Sequence, residues 1–161
     1  MPTSLSIAYI LRRYNMGVAV NLTDAVTAKL NETTFGTATV VRQLVPKIKR
    51  EDLTPQIKVA LQSKTSVEQD RSNEWIEYTI DVVQIYPIKS DSHLEDGLNM
   101  YQDIQECLSL KSNRQLTTAD GTFCLVPPFE MENLFDPDQV DEAGVMFTIS
   151  NFNYRFFKNR T

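Results

Sequence analysis

The chain has 161 residues, 42% of them hydrophobic, with 16 basic and 21 acidic side chains for a net charge of −5, so it can bury the core of one domain. Two cysteines are too few for a disulfide framework, and the five scattered glycines make no loop that could cradle a phosphate. No apolar run reaches the roughly 18 residues a membrane crossing needs, and Arg12 and Arg13 follow the first apolar stretch, the reverse of a secretory signal, so the reading points to the cytosol.

In chain order, Leu5, Ile7, Ala8, Ile10, Leu11 and Tyr14 form a short amphipathic helix with Ser4 as its cap, held by its own domain or by a neighbouring subunit. A second helix covers 23–30, with Leu22, Val26 and Leu30 on one side and Asp24 in the first turn, where a negative charge suits the helix dipole. Residues 33–36 end it. The stretch 37–44 is a strand by propensity, and 46–55 is a charged, solvated connection.

Residues 56–64 alternate, with Ile57, Val59 and Leu61 against Lys58, Ala60 and Gln62. The most ordered pattern is 75–86, where Ile76, Tyr78, Ile80 and Val82 share one side and Glu77, Thr79 and Asp81 the other, up to a stop at Pro87. This is the expected central strand. Between the two alternating stretches lie ten residues, 65–74, all polar but Val67, too long for a tight turn and expected to project as a hairpin arm toward another subunit.

Ser92 and Glu95 have the spacing of a capping box, and Leu94, Leu98, Tyr101, Ile104 and Leu108 follow at helical spacing, with Gly97 a local cost to the helix. Cys107 falls in that helix and Cys124 in a strand at 122–126, both expected as small core residues. Asp136 and Pro137 open a one- or two-turn helix that Gly144 ends. In the last strand, 145–157, Val145, Phe147 and Ile149 hold one parity and Phe152, Tyr154 and Phe156 the other, so a bulge is expected near Ser150 and Asn151.

Reaction chemistry finds little footing. His93 is the single histidine, in the first turn of a helix without a ligand partner at metal spacing, which speaks against a zinc site and against a Ser-His-Asp or Cys-His arrangement. The run Asp136, Asp138, Asp141, Glu142 invites a calcium loop, but the sixth position is Asp141 where glycine is needed and the twelfth is Phe147 where glutamate is needed. The expectation is therefore no enzyme, with no catalytic, cofactor-binding or metal residue. Between positions 91 and 142 there are twelve acidic residues against two basic ones, a balance of −10, while the rest of the chain stands at +5; an acidic half argues against a phosphate-binding surface there.

Several strings, in their order, resemble the tail terminators and related head–tail connection proteins of long-tailed bacteriophages. They are Asp24-Ala25-Val26 with Leu30-Asn31, Phe35, Val41-Arg42-Gln43-Leu44-Val45-Pro46 followed by Glu51-Asp52-Leu53, the strand 57–61, Tyr78-Thr79-Ile80-Asp81-Val82, the helix 94–108, Asp136-Pro137, and the closing strand through Tyr154-Arg155-Phe156. The resemblance spans 22–158 and leaves 1–21 as an N-terminal arm before a single domain, 22–161; the segment 124–128 departs from the family pattern.

It implies an α+β domain, a twisted antiparallel sheet covered on one face by helices, with a long projecting hairpin arm. It also implies a virion protein forming a ring, commonly a hexamer, at the head–tail junction. Such a ring caps the tail tube and joins it to the neck; the protein is made in the host cytoplasm, needs no cofactor or membrane, and lets the genome pass without specific binding. The alternatives are a neighbouring neck protein (a head-closure stopper or tail-completion connector), or a small ligand-binding or enzymatic α+β domain. If the ring surrounds the DNA channel, several of Asp103, Glu106, Glu130, Glu132, Asp138 and Asp141 are expected to face its axis.

Overall fold

A computed structural model describes residues 4–36, 38–43, 54–68, 73–127 and 144–159. Its longest helix, α1 (Ser4–Asn31), joins the two expected N-terminal helices into one. Residues that could have interrupted it bond back onto it instead. The Thr23 hydroxyl donates to the Ala19 carbonyl at 2.7 Å and the Thr27 hydroxyl to that of Thr23 at 2.8 Å. Leu22, Val26 and Leu30, four apart, are fully buried.

The strands are β1 (Thr39–Arg42), β2 (Gln56–Glu68), β3 (Asn73–Pro87), β4 (Gln115–Thr118), β5 (Gly121–Val126) and β6 (Val145–Asn159), in one sheet of order β1-β2-β3-β6-β5-β4. The expected all-antiparallel sheet is corrected at one edge, where β1 runs parallel to β2. The thirteen residues between them, 43–55, are long enough for the crossover that parallel strands require. Every other pair is antiparallel, and β3 is central as expected. The class is α+β.

Two further expectations change. The ladder between β2 and β3 continues through the polar stretch to Glu68 and Glu74, and β6 pairs with β3 from Pro87 down to Asn73, so the ten-residue gap is a supported three-stranded ribbon up to 69–72, which lie outside the described residues. The bulge sits at Gln62 of β2, between the Leu61–Ile80 and Ser63–Thr79 pairs, and β6 holds a single register along its whole length. What looked like a change of parity in β6 is resolved by polarity. Met146, Thr148, Ser150, Phe152 and Tyr154 all point into the core, the small polar Thr148 and Ser150 among them, while Val145, Phe147 and Ile149 stay on the outer face.

Helix α2 (Asp91–Ser109) covers the core face of the sheet beside α1. It begins one turn before the expected 94–108, with Ser90 at the N-cap and no side-chain cap bond, so Ser92 and Glu95 lie inside the helix and form no capping box. The buried Gln84 amide donates to the Gly97 carbonyl at 2.6 Å and its oxygen accepts from the Thr148 hydroxyl at 3.4 Å. Gly97 permits this approach: a Cβ there would stand 2.9 Å from Met146 Sδ. A 3-10 turn (Lys111–Asn113) leads from α2 into β4, a strand the sequence reading missed. The acidic turn 136–142, its short helix and residues 46–53 of the charged connection 46–55 lie outside the described residues.

The sheet is unevenly built. β3 has 15 residues, about 50 Å at full extension, yet β1 flanks β2 only at 56–59 and β5 flanks β6 only at 153–156, at opposite ends of the ribbon. Helix α1 touches β1, β2 and β4. Asp24 on it pairs with Arg42 of β1 at 2.7 Å, and Asn21 donates to Asp120 in the β4–β5 turn at 2.8 Å, so two adjacent turns of one helix hold both sheet edges.

Candidate functional site

His93, Cys107 and Cys124 are not brought together. His93 lies in the first turn of α2, where its Nδ1 accepts the Lys89 backbone N–H at 3.1 Å. Cys107 is fourteen residues further along the same helix, about 21 Å away by helical rise. Its thiol sits 3.3 Å from the Thr33 hydroxyl and 3.8 Å from the Lys29 carbonyl, at the seam between α1 and α2, half-buried. Cys124 is exposed on the outer face, against expectation. Its strand alternates Phe123 and Leu125 into the core, which leaves position 124 facing away, opposite Arg155. Among the described residues no group of three or more His, Cys, Asp or Glu side chains is placed to hold a metal ion.

The strongest polar cluster on the outer face is made by Arg155, which pairs with Glu77 at 3.2 Å and lays its guanidinium 5.4 Å from the centre of the Trp75 ring. Between the same two strands, the Thr79 hydroxyl donates to the Asn153 side chain at 2.7 Å. These contacts brace the ribbon.

The titratable groups of the core are pushed toward their neutral forms. Burial raises the Tyr154 hydroxyl far above its ordinary value, with a smaller contribution from Cys107. Burial also raises Tyr78, helped by Asp120, Tyr86, helped by Asp96, and Tyr101. Asp81 is raised by burial alone, and its Oδ1 has no hydrogen-bond partner among the described residues, as is true of the Tyr101 and Tyr154 hydroxyls.

The acidity of the second half is partly in view. Asp91, Glu95, Asp96, Asp103 and Glu106 are all exposed on α2, a helix with no Lys or Arg, and Gln102 donates to Glu106 at 2.9 Å. Glu130, Glu132, Asp138 and Asp141 lie outside the described residues. No described helix is long and apolar enough to cross a membrane.

A different feature comes from the staggered sheet. The Leu125 N–H bonds to the Arg114 carbonyl on the β4 side, so Cys124 and Val126 face β6, opposite Arg155 and Asn153. Odd-numbered residues of β6 therefore turn their N–H and C=O groups away from β3. Beyond the end of β5, Val145, Phe147, Ile149 and Asn151 face outward with no strand beside them among the described residues. Ile149 is 46% exposed.

On the opposite side of the ribbon the Gln43 N–H bonds to the Val59 carbonyl, where β1 ends, and past the Gln62 bulge the backbone of Lys64, Ser66 and Glu68 faces outward. Among the described residues, two long edges without a neighbouring strand thus lie at diagonal corners of one sheet. Sequence periodicity carries no sign of them, because openness depends on where a neighbouring strand stops.

Set beside known proteins, the chain matches no protein-family model and no curated protein sequence.

Proposed function

We propose that this chain is a structural ring component of a tailed-phage virion, a tail terminator that caps the tail tube and joins it to the neck. The observation that supports this reading is where the resembling strings fall in the fold. Asp24-Ala25-Val26 and Leu30-Asn31 lie on α1, Phe35 is buried just after it, and Val41-Arg42 is on β1. Tyr78-Thr79-Ile80-Asp81-Val82 occupies the middle of β3, and Tyr154-Arg155-Phe156 lies alongside it in β6, with Tyr78 opposite Tyr154. Strings far apart in the chain meet at the centre of one sheet, so they act together as the frame of the fold.

On this reading the protein carries no reaction and needs no cofactor. Its partners are further copies of itself, the tail tube protein below and a connector above, and the genome passes through without specific binding. Its place is the head–tail junction, after synthesis in the host cytoplasm. Sedimentation velocity over a range of concentrations tests the ring: six copies of 18.4 kDa give a particle of about 110 kDa. Antibody labelling of intact particles should then mark the junction. A chain that stays monomeric throughout, or a label elsewhere on the particle, overturns the proposal.

A further inference from the structure

We propose that the open edge of β6, residues 145–151, takes up the open edge of β2, residues 61–68, of a second copy of this chain, so that one subunit's sheet continues into the next. The inference rests on the ring reading and names the contact that would build it.

The β6 edge is the unusual one. Exposed edge strands are normally kept from pairing by charge, proline, a bulge or brevity. The sequence Val145-Met146-Phe147-Thr148-Ile149-Ser150-Asn151 has no charge, no proline and no bulge, and it is seven residues long. Its outward residues Phe147 and Ile149 add apolar surface beside N–H and C=O groups that no described strand pairs with. By contrast β1 and β4, the outermost strands, are four residues each.

The β2 edge fits it. Eight residues, 61–68, one more than the β6 edge, lie past the end of β1 with no described strand beside them. This edge carries the Gln62 bulge, Lys64 and Glu68, features that keep it soluble while it is free. Direction and pleat agree as well. β2 and β6 both run antiparallel to β3, so a copy added in the same orientation brings its β2 parallel to β6. In a parallel pair the facing residues of the two strands carry their side chains on opposite faces, as Val41 and Val59 do in the β1–β2 pair. The same relation holds here: Ile149 shares the outer face with Val83, whereas Lys64 shares the core face with Tyr78. Because the two edges differ, the contact is heterologous and each added copy leaves one new edge open, which is the property a ring requires.

The test begins with Ile149→Pro. The Ile149 N–H points away from β3, so proline removes only the outward donor and the β3–β6 ladder can stay intact. Sedimentation velocity should show the unaltered chain as a multimer and the variant as an 18.4 kDa monomer with unchanged circular dichroism. A multimer that survives the substitution overturns the edge contact and leaves the ring reading standing. An unaltered chain that never self-associates overturns both.

Should the proline variant misfold, disulfide trapping decides the matter, in a Cys107→Ala, Cys124→Ser background. The pair Ile149→Cys with Thr65→Cys, two positions on the outer face, should give a ladder of covalent multimers under oxidation, and each single variant none. A covalent dimer from Ile149→Cys alone would mean that two β6 edges meet each other, and that result sinks the proposal, as does the lack of any ladder.

Discussion

Both ends of the Gln84 amide are in use in the middle of the sheet, so its replacement has a readable cost. Gln84→Leu removes the bond to the Gly97 carbonyl and strands the Thr148 hydroxyl, and should destabilise by about 1–3 kcal/mol in urea unfolding. Gly121 is constrained by its backbone: its φ is +143°, and a Cβ would stand 2.6 Å from the Phe156 ring. Gly121→Ala should cost about 2–4 kcal/mol, with the ring forced to move. Tyr154 reverses the expectation for a buried side chain. Its hydroxyl is buried without a hydrogen-bond partner among the described residues, so Tyr154→Phe should be neutral or slightly stabilising at pH 7. The pH dependence has a definite sign. Folding raises the pKa of Tyr154, Tyr78, Tyr86 and Tyr101, so their contribution is fully present below the unfolded value of about 10 and is lost as pH climbs past it. Urea midpoints should fall above that pH, and fall less steeply in Tyr154→Phe.

Among the elements, α1 sets packing against charge. Leu22→Ala opens a hole under the sheet and should cost about 2–5 kcal/mol, whereas Asp24→Ala breaks a solvent-facing pair with Arg42 and should cost well under 1 kcal/mol by thermal melting. The elements most legible in the sequence were those whose burial follows a simple period, namely β3 with its alternating Ile76, Tyr78, Ile80 and Val82, and α2 with Tyr101, Ile104 and Leu108. β4 was missed although Asp120-Gly121 is a hairpin signal, because only Leu116 of its four residues reaches the core. The bulge was expected in the wrong strand because Thr148 and Ser150 are buried polar residues, which periodicity counts as solvent-facing. Cys124 was read as core on residue type, and the alternation of its neighbours decides otherwise. The edges of β2 and β6 that no described strand covers depend on strand lengths that no local pattern records.

At the scale of the molecule, if the proposed ring surrounds a DNA channel, its wall should not hold phosphate, and carboxylates are the groups that avoid it. Fluorescence anisotropy with duplex DNA at physiological salt should therefore show no binding by the chain. Changing the exposed Asp103 and Glu106 both to Lys should introduce salt-sensitive binding if that face of α2 lines the bore, and an unchanged profile would place it elsewhere. The unbroken pairing of β3 with β6 also has a consequence for synthesis. Asn73 is matched to Asn159 and Pro87 to Val145, so the centre of the sheet joins segments that leave the ribosome far apart in time. Until β6 is made, β3 waits with one side bare and the nucleus that closes the domain is missing. Nascent chains stalled before position 145 should be cleaved readily by added protease, and protection should arrive only once β6 is free of the ribosome.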